Sequence, residues 1–399
     1  MPQFGAVELI FMRFKTTFAL TTEGKPDANA HAAVHKIKED FAAMNPVFIV
    51  FFAATEYDPD ILAADMHDAF PGAVTMGCTT AGEKFDDKTL NGSVVAMAFS
   101  DDVFDFSETV LVLADRAAAR AAGGTDVFSD SAEALDYLGK SVGKPLIDLD
   151  YREYVGFMLG DKTSPFTEAI LERTGEMTDV FLVGGFAGDD QKFAGLQTVF
   201  YRGKAYRDGA AALALWKPKK GFALLKTQAV ELTDKQVVIT KADEDRRIIW
   251  EFDGRDAVDE YAEIIGVPSE SMNILDFDGN PLGLVANGEP YLRAIMKKVD
   301  GKGLQMYAQI WEGMRQTVTR SGDILKVTAR DLALTIEETG TPAAILHIDC
   351  VSRHTGLRNA GQVDAFARLF SYGPHISFSS YGEIYVNTLA FTSVMILFK

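Results

Sequence analysis

The sequence predicts an α/β protein of mixed β-sheets with flanking helices, and three observations carry that expectation. A block of strand, helix, short strand, glycine–acid turn and strand occurs three times in the 399 residues, a repeat of roughly sixty residues. The strand–helix–strand part of each block is most simply a right-handed parallel crossover, because a twisted strand packs its return back onto the sheet in that hand. A composition of 47% hydrophobic and 11% aromatic residues supplies a large core, and the length favours two or more domains.

The blocks are organised around their turns. GCTTAGE at 77–83, GGFAGDD at 184–190 and SFSSYGE at 377–383 each set small residues ahead of a glycine (Gly82, Gly188, Gly382) and an acid (Glu83, Asp189, Glu383). Glycine adopts backbone conformations closed to larger residues and lets other groups come close to the main chain. The loop after each first strand and the turn itself should therefore gather near strand ends, where α/β sheets bind ligands.

In order, residues 7–20 read as a strand, and Pro26 with Asp27 cues a helix whose apolar stripe is Ala30, Val34, Ile37 and Phe41. NPVFIVFFAA, DPDILAADMHDAF and GAVTM give strand, helix and strand before the first turn, and GSVVAMAFS gives a strand after it. DVFDFSETVLVLA reads as another strand, residues 116–124 and DSAEALDYLGK as helices. EYVGFML, FTEAILERTG and DVFLVG repeat the block, which DGAAALALW closes. The short basic break KPKK at 217–220 divides the chain into domains at 1–216 and 217–399. Beyond it come two strands, ALLKTQAVEL and KQVVITKA, then a strand, a DGR turn and a helix ending at Gly266. A meander of short strands with glycine turns spans 280–313, and TARDLALTIEETG is a helix. PAAILHIDC, QVDAFARLF and PHISF form the third block, and the terminal LAFTSVMILF suits a buried strand, being too short to cross a bilayer.

Charge excludes some functions. With 39 Lys and Arg against 57 Asp and Glu, the net charge of −18 argues against a nucleic-acid surface, which needs clustered cations. Two cysteines, Cys78 and Cys350, without a CxxC pair suggest a reducing compartment. The apolar start ELIFMRF is broken by Glu8 and Arg13, so no signal peptide is expected, and the protein should be cytoplasmic without membrane insertion. GxxxxGK[ST], GxSxG, HExxH and a Rossmann glycine signature are absent, and Thr79 and Thr80 have no obvious base, so an enzyme is not expected.

The candidate ligand-binding residues are Gly77, Cys78, Thr79, Thr80, Gly82 and Glu83 in the first block, and Gly184, Gly185, Gly188, Asp189 and Asp190 in the second. In the third they are Cys350, Arg353, Tyr381, Gly382, Glu383 and Asn387. An acid on a glycine turn can bind an amine or a metal, or it can be an ordinary solvated turn residue. Cys78 and Cys350 follow strand-like runs and can line one cleft, as reactive thiols or as small buried hydrophobes. Arg353 can pair with a ligand carboxylate, with a turn acid or in a structural ion pair. His31 and His35 share a helical face but lack neighbours of metal-site spacing, so they read as a solvated flank. His347, inside an apolar strand, reads as a core histidine; His67, His354 and His375 fall on a helix flank, in a loop and near a strand start. Sequence leaves the metal question unanswered.

GCTTAGE after a strand, GGFAGDD, DGRDAVDEYAEIIG, PLGLVANGEPYLR, DCVSR and the terminal YGEIYVNT together resemble the FIST domain, from about residue 10 to the end. On that resemblance the two domains are FIST N-terminal and FIST C-terminal regions. The terminal motif departs from the family's His-Asn-Gln-Thr-like tetrad, since Val386, Asn387 and Thr388 follow the Gly-Glu pair. The resemblance implies a sensory or adaptor module that binds a small ligand in a cleft, not a catalyst. It allows haem as a cofactor, as in stand-alone relatives that sense nitric oxide, with a His, Cys, Met or Tyr as axial ligand. Family members fused to output segments signal in cis, whereas this chain is expected to signal in trans, to a histidine kinase or a cyclic-di-nucleotide enzyme, with a homodimer left open. The alternatives are an interaction platform whose acidic surface docks a partner, and a hydrolase using Cys350 or Cys78.

Overall fold

Strands that are apolar on both faces must be covered on both, and the three blocks meet that need jointly. The structure, a computed structural model, describes residues 13–21, 24–162, 164–192, 194–286 and 288–399. Block one comprises β1 (Phe14–Leu20), α1 (Pro26–Phe41), β2 (Pro46–Ala53), α2 (Pro59–Ala69), β3 (Val74–Thr79), β4 (Glu83–Phe85), β5 (Lys88–Leu90) and β6 (Ser93–Ser100). Block two comprises β7 (Phe104–Leu113), α3 (Arg116–Ala122), β8 (Val127–Phe128), α4 (Ser131–Val142), β9 (Val155–Gly160), α5 (Pro165–Met177), β10 (Leu182–Phe186), β11 (Val199–Tyr201), β12 (Lys204–Tyr206) and β13 (Ala210–Pro218).

Block three opens with β14 (Phe222–Gln228) and is then interrupted. The insert holds β15 (Val230–Asp243), β16 (Ile248–Phe252), β17 (Arg255–Asp256), α6 (Ala257–Ile265), α7 (Ile274–Gly279), β18 (Leu282–Ala286), β19 (Glu289–Arg293), β20 (Ile295–Val299), β21 (Gly303–Met306) and β22 (Arg315–Ser321). The block resumes with α8 (Ile324–Thr339), β23 (Ala344–Cys350), α9 (Val351–Asn359), α10 (Val363–Ala367), β24 (His375–Ser380), β25 (Glu383–Tyr385), β26 (Asn387–Leu389) and β27 (Thr392–Phe398). The α/β expectation holds. The first strand starts at Phe14, and residues 7–12 of the expected strand lie outside the described residues. His354, expected in a loop, lies on helix α9.

The three blocks build the same sheet. Each pairs its first and second strands in parallel, β2 with β3, β9 with β10 and β23 with β24. Each then sets its last strand antiparallel to the first. The hairpin after each glycine–acid turn leaves its own sheet and completes another. β4–β5 pairs with β24, β11–β12 with β3, and β25–β26 with β10. The strand orders are therefore β1-β6-β2-β3-β11-β12, β8-β7-β13-β9-β10-β25-β26 and β14-β27-β23-β24-β4-β5.

Period-two alternation decides which face goes where. Phe48, Val50 and Phe52 of β2 join Val155, Phe157 and Leu159 of β9 and Leu346 and Ile348 of β23 in one shared core. The intervening Ile49, Phe51 and Ala53 pack with α1 and α2, and Met158 packs with α4 and α5. Trp216 stands where the sheets meet, stacked on Phe104 and Phe157 (5.3 Å each) and edge-on to Phe48 (5.2 Å). The helices begin where the sequence cues them: Pro26, Pro59 and Pro165 occupy first turns, and Asp58 caps α2.

The insert forms its own eight-stranded sheet over a separate core that includes Ile249, Phe252, Tyr261 and Phe277. It is tied to block two by Arg247, whose Nη2 lies 2.9 Å from Glu168 Oε2 on α5.

At Gly188 a Cβ would lie 2.6 Å from the Ala81 backbone nitrogen and 2.7 Å from the Thr80 carbonyl carbon, atoms that cannot swing away. Gly188→Ala should lower unfolding stability by about 3 kcal/mol, the upper end for overpacking. Gly175→Ala, in the last turn of α5 with nothing near its Cβ position, should raise it by about 0.5 kcal/mol. Chemical denaturation of both variants checks the pair; equal small effects would contradict the close crossing.

Candidate functional site

The three turns do converge, and they bind one another through main chain. Ala81 N donates to Ser379 O (2.9 Å) and Ser379 N to Gly82 O (2.7 Å). Gly188 N donates to Thr79 O (2.9 Å), Asp190 N to Thr80 O (2.8 Å) and Phe186 N to Gly382 O (2.9 Å). Gly82 and Gly382 take φ of 131° and 155°, so they are needed for conformation, whereas Gly188 is needed for the close approach. At the crossing itself the turns touch one another directly through these bonds.

The turn acids point inward. Glu83 accepts from Thr80 Oγ1, from Ser93 Oγ (2.6 Å) and from Ser93 N (3.3 Å). Glu383 repeats the pattern, accepting from Ser380 Oγ (2.5 Å) and Thr392 N (3.2 Å). Asp189 accepts from Tyr381 Oη (2.6 Å) and Ala194 N (2.7 Å), and Asp190 from Thr55 N (2.7 Å). Burial pushes both glutamates up to about 8, against the hydrogen bonds that favour ionisation. Both are uncharged near neutral pH, and their bonds staple each turn to the strand that follows the exchanged hairpin.

The open space lies beside the third turn, under the insert. A cavity of about 180 Å³ is bounded on one side by Cys350, Ser352, Tyr381 and Leu389 of block three and on the other by Asp278, Leu292, Ile295 and Tyr307 of the insert. It sits at the C-terminal end of β23, where α9 begins with Cys350 at its cap position, so the partial positive end of a helix adjoins it. Its walls are mostly apolar with a few polar groups, a composition common among small-molecule pockets. Asp278 is the ionisable carboxyl there; burial pushes it up to about 6, opposed by a hydrogen bond from Ser352. Burial, followed by the charge of Asp278, pushes the Tyr307 phenol up to about 12.

The structure therefore divides the sequence-predicted residues. Cys350, Tyr381 and Gly382 line this cavity, and Arg353 lines a second one beside it. Gly77, Cys78, Thr79, Thr80, Gly82, Glu83, Gly184, Gly185, Gly188, Asp189 and Glu383 are buried around the junction of the turns, with Asp190 at its edge. Asn387 is exposed and accepts from Thr388 N (2.7 Å). Cys78 faces the shared core, so the two cysteines do not meet in one cleft. Burial raises both thiols well above their ordinary value, leaving neither a ready nucleophile. Arg353 pairs with Asp349 (2.9 Å) instead of a turn acid. Asp278, Leu292, Ile295 and Tyr307 were not foreseen, because nothing in a meander says which end of another sheet it covers. Among the described residues no group of three or more His, Cys, Asp and Glu is placed to hold a metal. No described helix is long and apolar enough to cross a membrane.

Glu83 and Glu383 make stability depend on pH in a stated direction. A buried acid with a raised pKa adds stability that is complete below its unfolded value and is lost as pH climbs to its folded value. The thermal midpoint should fall from about pH 5 to about pH 9, and the double variant Glu83→Gln, Glu383→Gln should flatten that fall. An equally steep fall in the variant would contradict the assignment.

Comparison with known proteins gives a family and a partial relative. An uncharacterized protein of Methanocaldococcus jannaschii is 25% identical over 201 residues, which cover 45% of this chain and 38% of the relative. The match thus spans well under half of that protein. A solved structure, T. maritima PurL complexed with FGAR, aligns with a TM-score of 0.19 and 10% identity over 96% of this chain and 72% of that one, a likeness too weak to carry any argument. The FIST N domain matches residues 47–255 and the FIST C domain matches 257–386. FIST domains are associated with sensing in signal transduction, and this chain belongs to the FIST family.

Proposed function

We propose that the chain is a sensory module that binds a small, largely apolar molecule in the cavity between insert and block three and passes the signal in trans. The observation that supports this most is the origin of the walls: Leu292, Ile295 and Tyr307 come from the insert, and Cys350, Ser352 and Tyr381 from block three. An occupant touches both bodies at once and so favours whichever mutual placement it fits best. The volume of about 180 Å³ lies below the roughly 300 Å³ at which drug-sized pockets begin, which points to a metabolite of few heavy atoms. The receiver is a cytoplasmic signalling enzyme, a histidine kinase or a cyclic-di-nucleotide enzyme. The raised thiols of Cys78 and Cys350 weigh against the hydrolase alternative.

Haem requires room and an axial donor. The first cavity lacks the room. A wider cleft of about 560 Å³ adjoins it, lined in part by Tyr307, Tyr381 and Met306, but the Tyr381 hydroxyl donates to Asp189 and Met306 is packed in the insert's core. No histidine lines either space among the described residues. Tyr307 and Met296 also line the wider cleft, and the reading makes no use of haem.

A thermal-shift screen of metabolites tests the proposal, because a ligand of the folded state at about 100 times its Kd adds about 2.7 kcal/mol. Hits should raise the midpoint of the native chain by several degrees and lose that effect in Ala308→Trp, which fills the cavity. A chain that no metabolite stabilises, or hits that persist in a folded Ala308→Trp, would favour a docking platform without a small ligand.

A further inference from the structure

Two cavities meet at the start of α9, and one acid stands on the wall between them. Asp278, from α7, borders both, together with Ser352 and Thr355. Its main chain is fixed: the carbonyl accepts from Ser321 Oγ (2.6 Å), and Asn273 caps the helix that carries it. Its side chain is far less committed. Ser352 supplies the hydroxyl bonded to it, and one hydroxyl proton cannot serve two carboxyl oxygens. Neither oxygen is shut away without a partner, and Asp278 is part-exposed. At least one oxygen therefore reaches open space.

No side chain balances the charge on that oxygen. Arg353, which borders the second cavity, is turned to Asp349 through Nε (2.9 Å) and to Thr328 through Nη2 (2.7 Å). Lys84 also lies on Asp349, at 3.1 Å. Among the described residues no Lys, Arg or His is paired with Asp278, and none lines the first cavity. The first turn of α9 carries about half a unit of positive charge, and its Ser352 amide is already taken by the Cys350 sulfur. A carboxyl beside apolar walls without a cation is costly. Burial accordingly pushes Asp278 up to about 6, which still leaves it mostly ionised at neutral pH.

The walls of the first cavity select what can answer that charge. Leu292, Ile295 and Leu389 suit a hydrocarbon body. Tyr307 and Tyr381 add aromatic rings, which accept an ammonium better than aliphatic walls do. At ~30 Å³ per water-sized unit, the space of about 180 Å³ holds a molecule of several heavy atoms. A carboxylate on that molecule would find no Lys or Arg to receive it and would be repelled by Asp278.

We propose that the molecule sensed in the first cavity is a small primary monoamine, its ammonium on the Asp278 carboxylate and its short apolar body against Leu292, Ile295 and Leu389. The inference rests on the reading of this cavity as the binding site and adds the class of ligand. A charge-assisted hydrogen bond to a part-buried carboxylate supplies the selectivity for an amine. The lack of a cationic wall selects against a molecule that carries a carboxylate as well.

Four probes of one shape test it by calorimetric titration and thermal shift on the full chain: isobutylamine, isobutanol, isobutyrate and valine, which is isobutylamine bearing a carboxylate. Isobutylamine should bind saturably and raise the midpoint, and the other three should bind at least tenfold more weakly. Asp278→Asn, which keeps the shape and removes the charge, should weaken isobutylamine at least tenfold and leave isobutanol unchanged. Isobutanol bound as tightly as the amine, and lost in Ala308→Trp, would overturn the amine assignment while leaving the cavity as the binding site. Isobutyrate or valine bound as tightly as isobutylamine would overturn it too, as would undiminished amine binding in a folded Asp278→Asn. Saturation by none of the four would also overturn it, and the metabolite screen with Ala308→Trp then decides the broader reading separately. The contrast among the probes needs no variant, so misfolding of Asp278→Asn leaves the test intact.

Discussion

The architecture depends on three chain segments crossing at main-chain distance. Each block must send its hairpin out of its own sheet and into that of another block, and the crossings happen at one place, where Thr80, Phe186 and Ser379 are bonded to neighbouring turns through backbone atoms. No side chain can sit between strands that close, so Gly188 is fixed by contact and Gly82 and Gly382 by conformation. Once the hairpins are exchanged, no sheet is complete without a neighbouring block, and the shared core around Trp216 follows. Glu83 and Glu383 then serve as uncharged hydrogen-bond acceptors inside the junction. That accounts for acids on turns that are nonetheless shielded from solvent.

The proposed site depends on departures from the threefold pattern. Only block three carries an insert, and the insert lies over the strand ends of its own block and of block two. The third sheet turns a fully buried ion pair outward to its helices, with Lys84 supplied by a hairpin from another block. Both cavities border Asp278, a single residue of the insert, while Arg353 and Cys350 flank the same stretch of β23 and α9. The two cavities beside α9 therefore lie where the insert meets block three.

Much of this was legible in the sequence. The repeated block, its parallel crossover and the meeting of the turns follow from local patterns: strand period, proline and aspartate helix starts, and glycine placement. DCVSR was misjudged because Cys350 ends a strand and caps a helix at once, with no loop residues between. The hairpin exchange could not be read, since a three-residue strand such as Glu83–Phe85 carries no mark of the sheet it will join. The cavity was half legible. Cys350, Tyr381 and Gly382 lie on motifs, but their counterparts Asp278 and Tyr307 come from a meander whose docking is decided by tertiary packing alone. The turn acids were left between a ligand-binding and a solvated reading, because polarity at turns usually means solvent, whereas the crossing geometry encloses them.

The account's central claim is that a small molecule sits between insert and block three and couples them. Hydrogen exchange, followed by mass spectrometry with and without a hit from the metabolite screen, tests it most directly, because it reads local opening segment by segment. The account predicts slower exchange in two separate stretches, residues 274–308 of the insert and 350–355 with 381–390 of block three, and little change in β2 or β9. Protection of one stretch alone, or protection centred elsewhere, would contradict it.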